Sequence, residues 1–197
     1  QARTWVGEHR LDALVTTDGD GDRPLIADES GAYLRGDLLG VLTAKALGAD
    51  AVATPVSSNT ALERSGWFAR TARTRIGSPY VIEAMERLSC EGARLAVGFE
   101  ANGGFLLGGA AAGRDGAILA PLPTRDAVLP MIAVLAMAAR EGVALSALAR
   151  SLPARATASD RLQAIAAERS GPWLAALQED PALRNGLIAG ALDGARV

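Results

Sequence analysis

Cysteine, histidine and lysine are almost absent from this chain, and each absence excludes a class of site. Cys90 is the only cysteine, so an intrachain disulfide and a cysteine-rich metal site are both excluded. Its place near the end of a predicted helix suits an inert small residue better than a nucleophile. His9 is the only histidine, and we interpret it as a surface residue before the first strand. Lys45 is the only lysine among twenty basic residues, which balance 22 acidic ones; no basic stripe indicates nucleic-acid binding.

The chain also lacks an apolar run long enough to span a membrane, and no signal peptide is visible. We therefore expect a soluble cytoplasmic protein. Aromatic residues make up 4% of the sequence, so the core must be built from the aliphatic residues that bring the apolar fraction to 49%. Such a core suffices for one large or two small domains. The chain begins at Gln1 inside a predicted helix, which we interpret as truncation or processing of a longer protein.

Strand-like and helix-like segments alternate through the first three quarters of the sequence. Short apolar runs bounded by Gly, Pro and Asp predict strands, and stretches with helical periodicity predict helices. The predicted strands are 11–17, 24–27, 50–55, 67–73, 94–99 and 105–107, and the predicted helices are 36–48, a short one ending at 64, one opening at 77–79, and 125–140. This order indicates an α/β fold. We expect a layered α/β/α domain with a mixed, largely parallel sheet, preceded by part of a second, similar domain.

Charged residues mark the expected ends of two helices. Asp37 is predicted to cap the helix that it opens, and Asp126 and Arg140 complement the dipole of the helix 125–140. From about Pro153 the sequence becomes rich in alanine and poor in strand signals. We therefore divide the chain into 1–36, 37–152 and a helical linker or incomplete C-terminal region, 153–197.

The most informative stretch is the turn that carries Asp18, Asp20 and Asp22 directly after the first predicted strand. The glycines between these residues allow the positive φ values that a tight turn needs, so the three carboxylates converge on one point. Three such charges repel one another unless a cation lies between them, and hard oxygen ligands suit Mg²⁺ or Ca²⁺. A solvated Asp/Gly turn is the simpler alternative, but the buried strand in front of the loop disfavours it.

Two other functional interpretations of this loop compete. Together with Glu29, the aspartates occupy positions one, three, five and twelve of a calcium-binding helix–loop–helix, but Arg23 stands where that motif requires glycine. The flanks also look like strands. A strand ending in Asp-x-Asp resembles the nucleophile motif of haloacid-dehalogenase-type phosphatases, which continue with Thr or Val where this chain has Asp22. Those enzymes also need a distant lysine, and no lysine follows Lys45.

Residues 15–29, Val-Thr-Thr-Asp-Gly-Asp-Gly-Asp-Arg-Pro-Leu-Ile-Ala-Asp-Glu, resemble the metal loop and following strand of the α-D-phosphohexomutases, the family of phosphomannomutases and phosphoglucomutases. The resemblance implies that Asp18, Asp20 and Asp22 hold Mg²⁺. It also implies that Arg23 stabilises the phosphoryl group carried by a catalytic serine.

Later segments resemble the third domain of the same family, in the same order: 56–58, 73–78 and 98–104. Within Gly-Phe-Glu-Ala-Asn-Gly-Gly, Glu100 matches the glutamate of the family's Gly-Glu-x-Ser-Gly sugar-specificity loop, while Asn102 stands in place of serine. Asn still offers a donor and an acceptor to a pair of hydroxyls. Ser78 corresponds to a substrate-binding position, although a helix cap is its simpler role. Glu100 could instead pair with a nearby arginine, but the Asn-Gly-Gly that follows favours a ligand loop.

The resemblance covers residues 5–152 and implies interconversion of hexose 6-phosphate and hexose 1-phosphate through a phosphoserine and a 1,6-bisphosphate. No segment matches the family's Thr-Ala-Ser-His-Asn-Pro serine loop, and 155–159 matches its Arg-x-Ser-Gly-Thr phosphate loop too loosely. We therefore expect a fragment that is inactive alone, with the family's first and fourth domains elsewhere in its parent. The expected ligand is mannose or glucose 1- or 6-phosphate. The residues of the two loops resemble those of bacterial members that act on mannose phosphates, which favours mannose. A free-standing Mg²⁺- or Ca²⁺-binding module is the non-enzymatic alternative.

Overall fold

The computed structural model describes residues 1–113, 116–157 and 164–194, with side chains through residue 189. The chain divides into two compact units, 1–157 and 158–197. Part of the predicted C-terminal region, residues 158–163 and 195–197, lies outside the described residues, and so does part of the 155–159 segment. No helix in the described ranges combines the length and hydropathy that a membrane crossing requires.

An N-terminal helix precedes a β-hairpin, and the turn of that hairpin, residues 18–23, is the aspartate loop. Helix α1 spans Ala2–His9, and strands β1 (Leu14–Thr17) and β2 (Pro24–Ala27) pair in antiparallel register, with Thr17 opposite Pro24. The Gly- and Asp-rich segment between them forms the turn, which confirms the predicted hairpin. The remaining elements are, in chain order, α2 (Gly36–Ala46), β3 (Ala51–Pro55), α3 (Ala61–Ser65), β4 (Arg70–Thr74), α4 (Ser78–Cys90), β5 (Ala96–Phe99), β6 (Phe105–Leu107), β7 (Ala111–Ala112), β8 (Ile118–Leu119), β9 (Leu122–Asp126), α5 (Val128–Glu141), α6 (Leu145–Arg150), α7 (Ala167–Glu179) and α8 (Pro181–Gly194).

Five strands form the main sheet, in the order β4-β3-β5-β6-β9. Strand β3 pairs in parallel with both β4 and β5, whereas β6 is antiparallel to β5 and β9 is antiparallel to β6. Four of the five strands therefore point the same way, which confirms the expected mixed, largely parallel sheet. The carboxyl ends of β3, β4 and β5 lie along one edge, where ligands of open α/β sheets bind.

Helices pack on both faces of this sheet. Val52 and Phe99 face α2 and α5 in a core that includes Leu42 and Val134. Alternate residues of β3 point to the opposite face, where Ala53 packs against the α4 side chains, Met85 among them. Small alanines on this second face let α4 approach the strands closely. The layered α/β/α arrangement is the predicted one.

One predicted helix start is wrong, and one predicted cap residue lies inside its helix. Helix α5 begins at Val128, because Arg125 and Asp126 still belong to β9; one carboxylate oxygen of Asp126 accepts the amides of Val128 (2.7 Å) and Leu129 (3.3 Å). Asp37 lies inside α2, one residue after its start, where Oδ1 of its carboxylate accepts the first-turn amide of Leu38 at 3.0 Å. Its Oδ2 accepts the amide of Asn59 at 2.9 Å, which joins α2 to the loop after β3.

Candidate functional site

The three aspartates lie in the turn between β1 and β2. Backbone hydrogen bonds within this turn hold it closed. The amide of Asp18 donates to the carbonyl of Arg23 (3.2 Å), and the amide of Gly21 donates to the carbonyl of Asp18 (3.1 Å). Gly21 has a φ of +79°, a value that residues with a side chain rarely adopt. One oxygen from each of Asp18, Asp20 and Asp22 lies within 4.8 Å of the others. The carboxylates therefore converge as the sequence predicts.

The chemistry of this loop fits a divalent cation. Within the described part of the chain, the Oδ1 atom of Asp22 is buried and accepts no hydrogen bond. A buried carboxylate oxygen without a hydrogen bond is destabilising, and a cation held between carboxylates would satisfy it. A set of donors made only of oxygen suits Mg²⁺ or Ca²⁺. Asp18, Asp20 and Asp22 are thus the residues that could hold a metal.

Arg23 lies against the same carboxylates. Its Nε is 3.3 Å from Oδ2 of Asp18 and 3.6 Å from Oδ1 of Asp22, and its backbone amide donates to Oδ1 of Asp18 at 3.2 Å. Its side chain is 45% exposed. A guanidinium in this position can meet a phosphoryl group that approaches the loop from solvent.

The hairpin excludes the calcium-binding helix–loop–helix arrangement. Strands β1 and β2 flank the loop where that motif requires helices. Glu29, which would be the twelfth-position ligand, instead accepts hydrogen bonds from the hydroxyl and the backbone amide of Ser146 in α6. Although burial raises the pKa of Glu29, these bonds leave it lowered overall. Glu29 therefore ties the hairpin to α6 and is not turned toward the aspartates.

A second loop, residues 100–104, follows the carboxyl end of β5 and is called the ligand loop below. Glu100 is buried, with 7% of its surface exposed. Its amide donates to the carbonyl of Gly104 (3.0 Å), and the side-chain oxygen of Asn102 accepts the amide of Gly104 (3.0 Å). The side-chain nitrogen of Asn102 lies 3.5 Å from the carboxylate of Glu100. The two polar side chains that the sequence selects for ligand binding are therefore neighbours on one closed loop.

Three glycines let this loop pass close to the hairpin and to α2. A Cβ added at Gly36 would lie 2.3 Å from the backbone of both Asn102 and Gly103. One added at Gly103, where φ is +96°, would lie 3.0 Å from the ring of Pro24. One added at Gly104 would lie 3.1 Å from Cδ of Arg125. The ligand loop is thus packed against the elements that carry the aspartates.

Arg125 joins the two loops, and its sequence context does not predict this role. Its guanidinium lies 2.6 Å from Oδ2 of Asp22 and 3.6 Å from Oε2 of Glu100. The sequence predicts a helix from Arg125 onward, whereas the structure has Arg125 in β9. Among the described residues β9 pairs with β6 alone, and no local pattern indicates that Arg125 reaches the aspartate loop.

Ser78 lies at the same edge of the sheet but apart from this cluster. It is the first residue of α4, which follows β4, and the N-cap residue is Gly77. Strand β3 separates β4 from β5, so the strands that precede Ser78 and Glu100 are two strand spacings, about 10 Å, apart. In the described ranges no hydrogen bond joins Ser78 to the aspartates or to Glu100. The edge between them is formed by the β3–α3 loop.

Buried polar contacts hold this edge in place. The hydroxyl of Thr54 donates to the carbonyl of Phe99 (2.8 Å) and lies 2.7 Å from the hydroxyl of Ser58. The guanidinium of Arg73 donates to the carbonyls of Pro55 and Ser58, and to both carboxylate oxygens of Glu63. These bonds order the loop after β3, where Ser58 is a structural contact.

Comparison with known proteins agrees with the fold and with the order of the motifs. Residues 35–156 match the family model described as phosphoglucomutase/phosphomannomutase, alpha/beta/alpha domain III. Since this match covers more than half of the chain, the chain belongs to the phosphoglucomutase/phosphomannomutase family, as the resemblance of its loops indicates.

Individual relatives extend the similarity beyond that domain. The chain is 50% identical over 170 residues to a phosphomannomutase of Salmonella muenchen, covering 86% of this chain and 35% of the relative. It is 41% identical over 201 residues to a phosphomannomutase of Sinorhizobium fredii, covering 98% and 42%. A crystal structure of a phosphoglucomutase/phosphomannomutase family protein from Burkholderia thailandensis shares the fold, with a TM-score of 0.57 and 21% identity over 80% of this chain and 32% of that one. The chain thus spans well under half of the curated relatives that it matches.

Proposed function

We propose that this chain supplies the metal loop and the sugar-reading loop of a phosphomannomutase-type enzyme, which interconverts hexose 6-phosphate and hexose 1-phosphate. The observation that carries the proposal is the cluster of Asp22, Arg125 and Glu100, in which the aspartate loop and the buried Glu100 meet through one guanidinium. The 50% identity to a phosphomannomutase supports the assignment to mannose phosphates.

In this proposal Asp18, Asp20 and Asp22 hold Mg²⁺. The metal, when bound, supplies positive charge that neutralises a phosphoryl group during transfer. Arg23 adds a second positive charge beside the aspartates and, with its exposed guanidinium, binds the phosphoryl oxygens. Phosphoryl transfer requires mainly positioning and neutralisation of charge, and these residues provide both.

Glu100 and Asn102 bind the hydroxyl groups of the sugar ring in this proposal. The carboxylate accepts hydrogen bonds from neighbouring hydroxyls, and the amide of Asn102 offers a donor and an acceptor beside it. A mutase must bind its sugar in two orientations, with either phosphate toward the metal. When the sugar ring turns over, neighbouring hydroxyls exchange places. A carboxylate that contacts those hydroxyls can therefore bind the sugar in both orientations. Ser78, at the far side of the same edge, is proposed to contact the ligand there.

The reaction that we infer passes through a phosphoserine and a hexose 1,6-bisphosphate. The serine gives its phosphoryl group to the monophosphate, and the bisphosphate returns its other phosphoryl group to the serine after turning over. None of the 197 residues matches the family's serine loop. The chain by itself is therefore proposed to be inactive, and turnover of mannose 1-phosphate by the purified chain would contradict that part of the proposal.

Metal binding tests the proposal directly. Calorimetric titration with Mg²⁺ and with Ca²⁺, each with and without glucose 1,6-bisphosphate, separates a mutase loop from a calcium module. We expect Mg²⁺ binding that the bisphosphate strengthens, and its loss in Asp20→Asn. Asp12→Asn is the matched control, because Asp12 lies before β1 and outside the aspartate loop. Binding of Ca²⁺ alone, with no effect of bisphosphate, would refute the mutase assignment.

A further inference from the structure

Arg125 is the one described side chain that forms ion pairs with both loops of the site. Its NH2 nitrogen lies 2.6 Å from Oδ2 of Asp22, and its NH1 nitrogen lies 3.6 Å from Oε2 of Glu100. The arginine side chain is 35% exposed, whereas those of Asp22 and Glu100 are 21% and 10% exposed. Two largely buried carboxylates therefore share one cation, in surroundings where charge–charge interactions are stronger than at the surface.

The backbone places Arg125 between the loops. In the antiparallel register of β6 and β9, Asp126 lies opposite Phe105, and the side chain of Arg125 packs on the residue that precedes β6. That residue is Gly104, and a Cβ there would lie 3.1–3.4 Å from the Cβ, Cγ and Cδ atoms of Arg125. The missing side chain of Gly104 leaves a path along which the arginine stem runs under the ligand loop to the hairpin.

The contact with Arg125 engages one oxygen of Asp22, and the other oxygen lies near Arg23. Arg125 binds Oδ2, while Oδ1 lies 3.6 Å from Nε of Arg23, which is itself 3.3 Å from Oδ2 of Asp18. Oδ1 is the buried atom that accepts no hydrogen bond within the described chain. A carboxylate anchored through one oxygen presents the other in a fixed direction, as partners of metal ligands commonly arrange.

We propose that Arg125 is a positioning residue that couples the aspartate loop to the ligand loop. A cation that draws Asp22 toward Asp18 changes the Asp22–Arg125 contact and, through the same guanidinium, the position and charge environment of Glu100. Such coupling is reciprocal, so ligand binding at Glu100 strengthens or weakens metal binding by the same factor. This inference rests on the proposed function, because it requires a metal at the aspartates.

The test compares amide signals of the isotope-labelled full chain by NMR during Mg²⁺ titration. Gly19 and Gly21 report the aspartate loop, and Glu100 and Gly104 report the ligand loop. In the wild type we expect all four to shift together. In Arg125→Met the aspartate-loop signals should still shift, whereas the response of Glu100 and Gly104 is lost. Arg125→Lys keeps the charge but not the forked donors, so its ligand-loop response should be reduced.

Controls separate coupling from a loss of structure. Arg94→Met removes an arginine near the opposite end of β5, where its guanidinium donates to the carbonyl of Gly48 (3.0 Å), and should respond as the wild type does. An unchanged Glu100 and Gly104 response in Arg125→Met would overturn the inference and leave the proposed metal site intact. Absence of any Mg²⁺ response at Gly19 and Gly21 in the wild type would refute the metal site and, with it, the coupling. Should Arg125→Met fail to fold, Arg125→Lys decides by the same comparison.

Discussion

Replacing Gly36 with alanine tests the close approach of α2 to the ligand loop. The added Cβ would lie 2.3 Å from the carbonyl carbon of Asn102 and from the nitrogen of Gly103. Carbon atoms pack at about 3.5 Å, so the two backbones must separate by roughly 1 Å. Overpacking of this kind costs about 1–3 kcal/mol, and the lower unfolded-state entropy of alanine returns about 0.4–1 kcal/mol. We expect Gly36→Ala to be destabilised by about 1–2 kcal/mol on balance.

The matched control is Gly7→Ala in α1, where nothing lies within 4 Å of the added Cβ. This change should stabilise the protein by about 0.5–1 kcal/mol, because alanine is the better helix residue. Urea unfolding of the first unit can be followed by the fluorescence of Trp5 and Trp67 in a Trp173→Phe background, since Trp173 belongs to the second unit. If Gly36→Ala is as stable as Gly7→Ala, then α2 does not approach residues 102–103 as described, and the account of the ligand loop is refuted.

Three further changes probe the core, the hairpin and the aspartate loop. Phe99→Ala empties a fully buried position at the end of β5 and should cost about 3–5 kcal/mol in urea unfolding; wild-type stability would contradict its place in the core. Burial raises the pKa of Asp28, but hydrogen bonds from the hydroxyl of Ser30 and from nearby amides lower it more, so the net pKa is depressed. The ionised Asp28 carboxylate therefore stabilises the folded state above the unfolded-state pKa, and this stabilisation is lost as pH falls through the folded-state pKa. Asp28→Asn should thus reduce the fall in unfolding free energy at acid pH. Asp22→Asn should weaken Mg²⁺ binding in calorimetry while Asp12→Asn leaves it unchanged, and equal affinities would show that Asp22 is not a ligand.

Local chemistry explains which parts of the fold are predictable from sequence. The hairpin depends on Gly21 and on the alternation of aspartates around it, all within one turn. The start of α4 is set by the Gly77-Ser78-Pro79 segment. Its proline lies in the first turn, where a backbone amide would make no hydrogen bond within the helix. Each signal lies within a few residues of the structure that it specifies, and each predicted element is present.

Contacts between distant segments explain the errors. Strand β9 has no clear alternation of polar and apolar residues, and it becomes a strand only by pairing with β6, so a helix starting at Arg125 was the better local interpretation. Asp37 has the residue type of a helix cap, but it lies one residue inside α2, and its carboxylate binds Arg35 and the distant amide of Asn59 besides the amide of Leu38. In both cases a tertiary partner overrides the local preference. The aspartate triad lies within one turn and is predictable from sequence, whereas its link to Glu100 depends on a distant strand and is not.

The choice of arginine at position 125 follows from the geometry of that link. A guanidinium presents several donors in a fixed plane, so two of its nitrogens can face two carboxylates on different loops. A lysine ammonium is a compact point charge and would be drawn to one carboxylate, leaving the other buried with its charge unpaired. The chain's only lysine, Lys45, serves a different purpose, with its ammonium 3.9 Å from the ring centre of Trp67. Arg125→Lys therefore isolates the bridging geometry from the charge: if coupling depended on charge alone, the lysine variant would match the wild type.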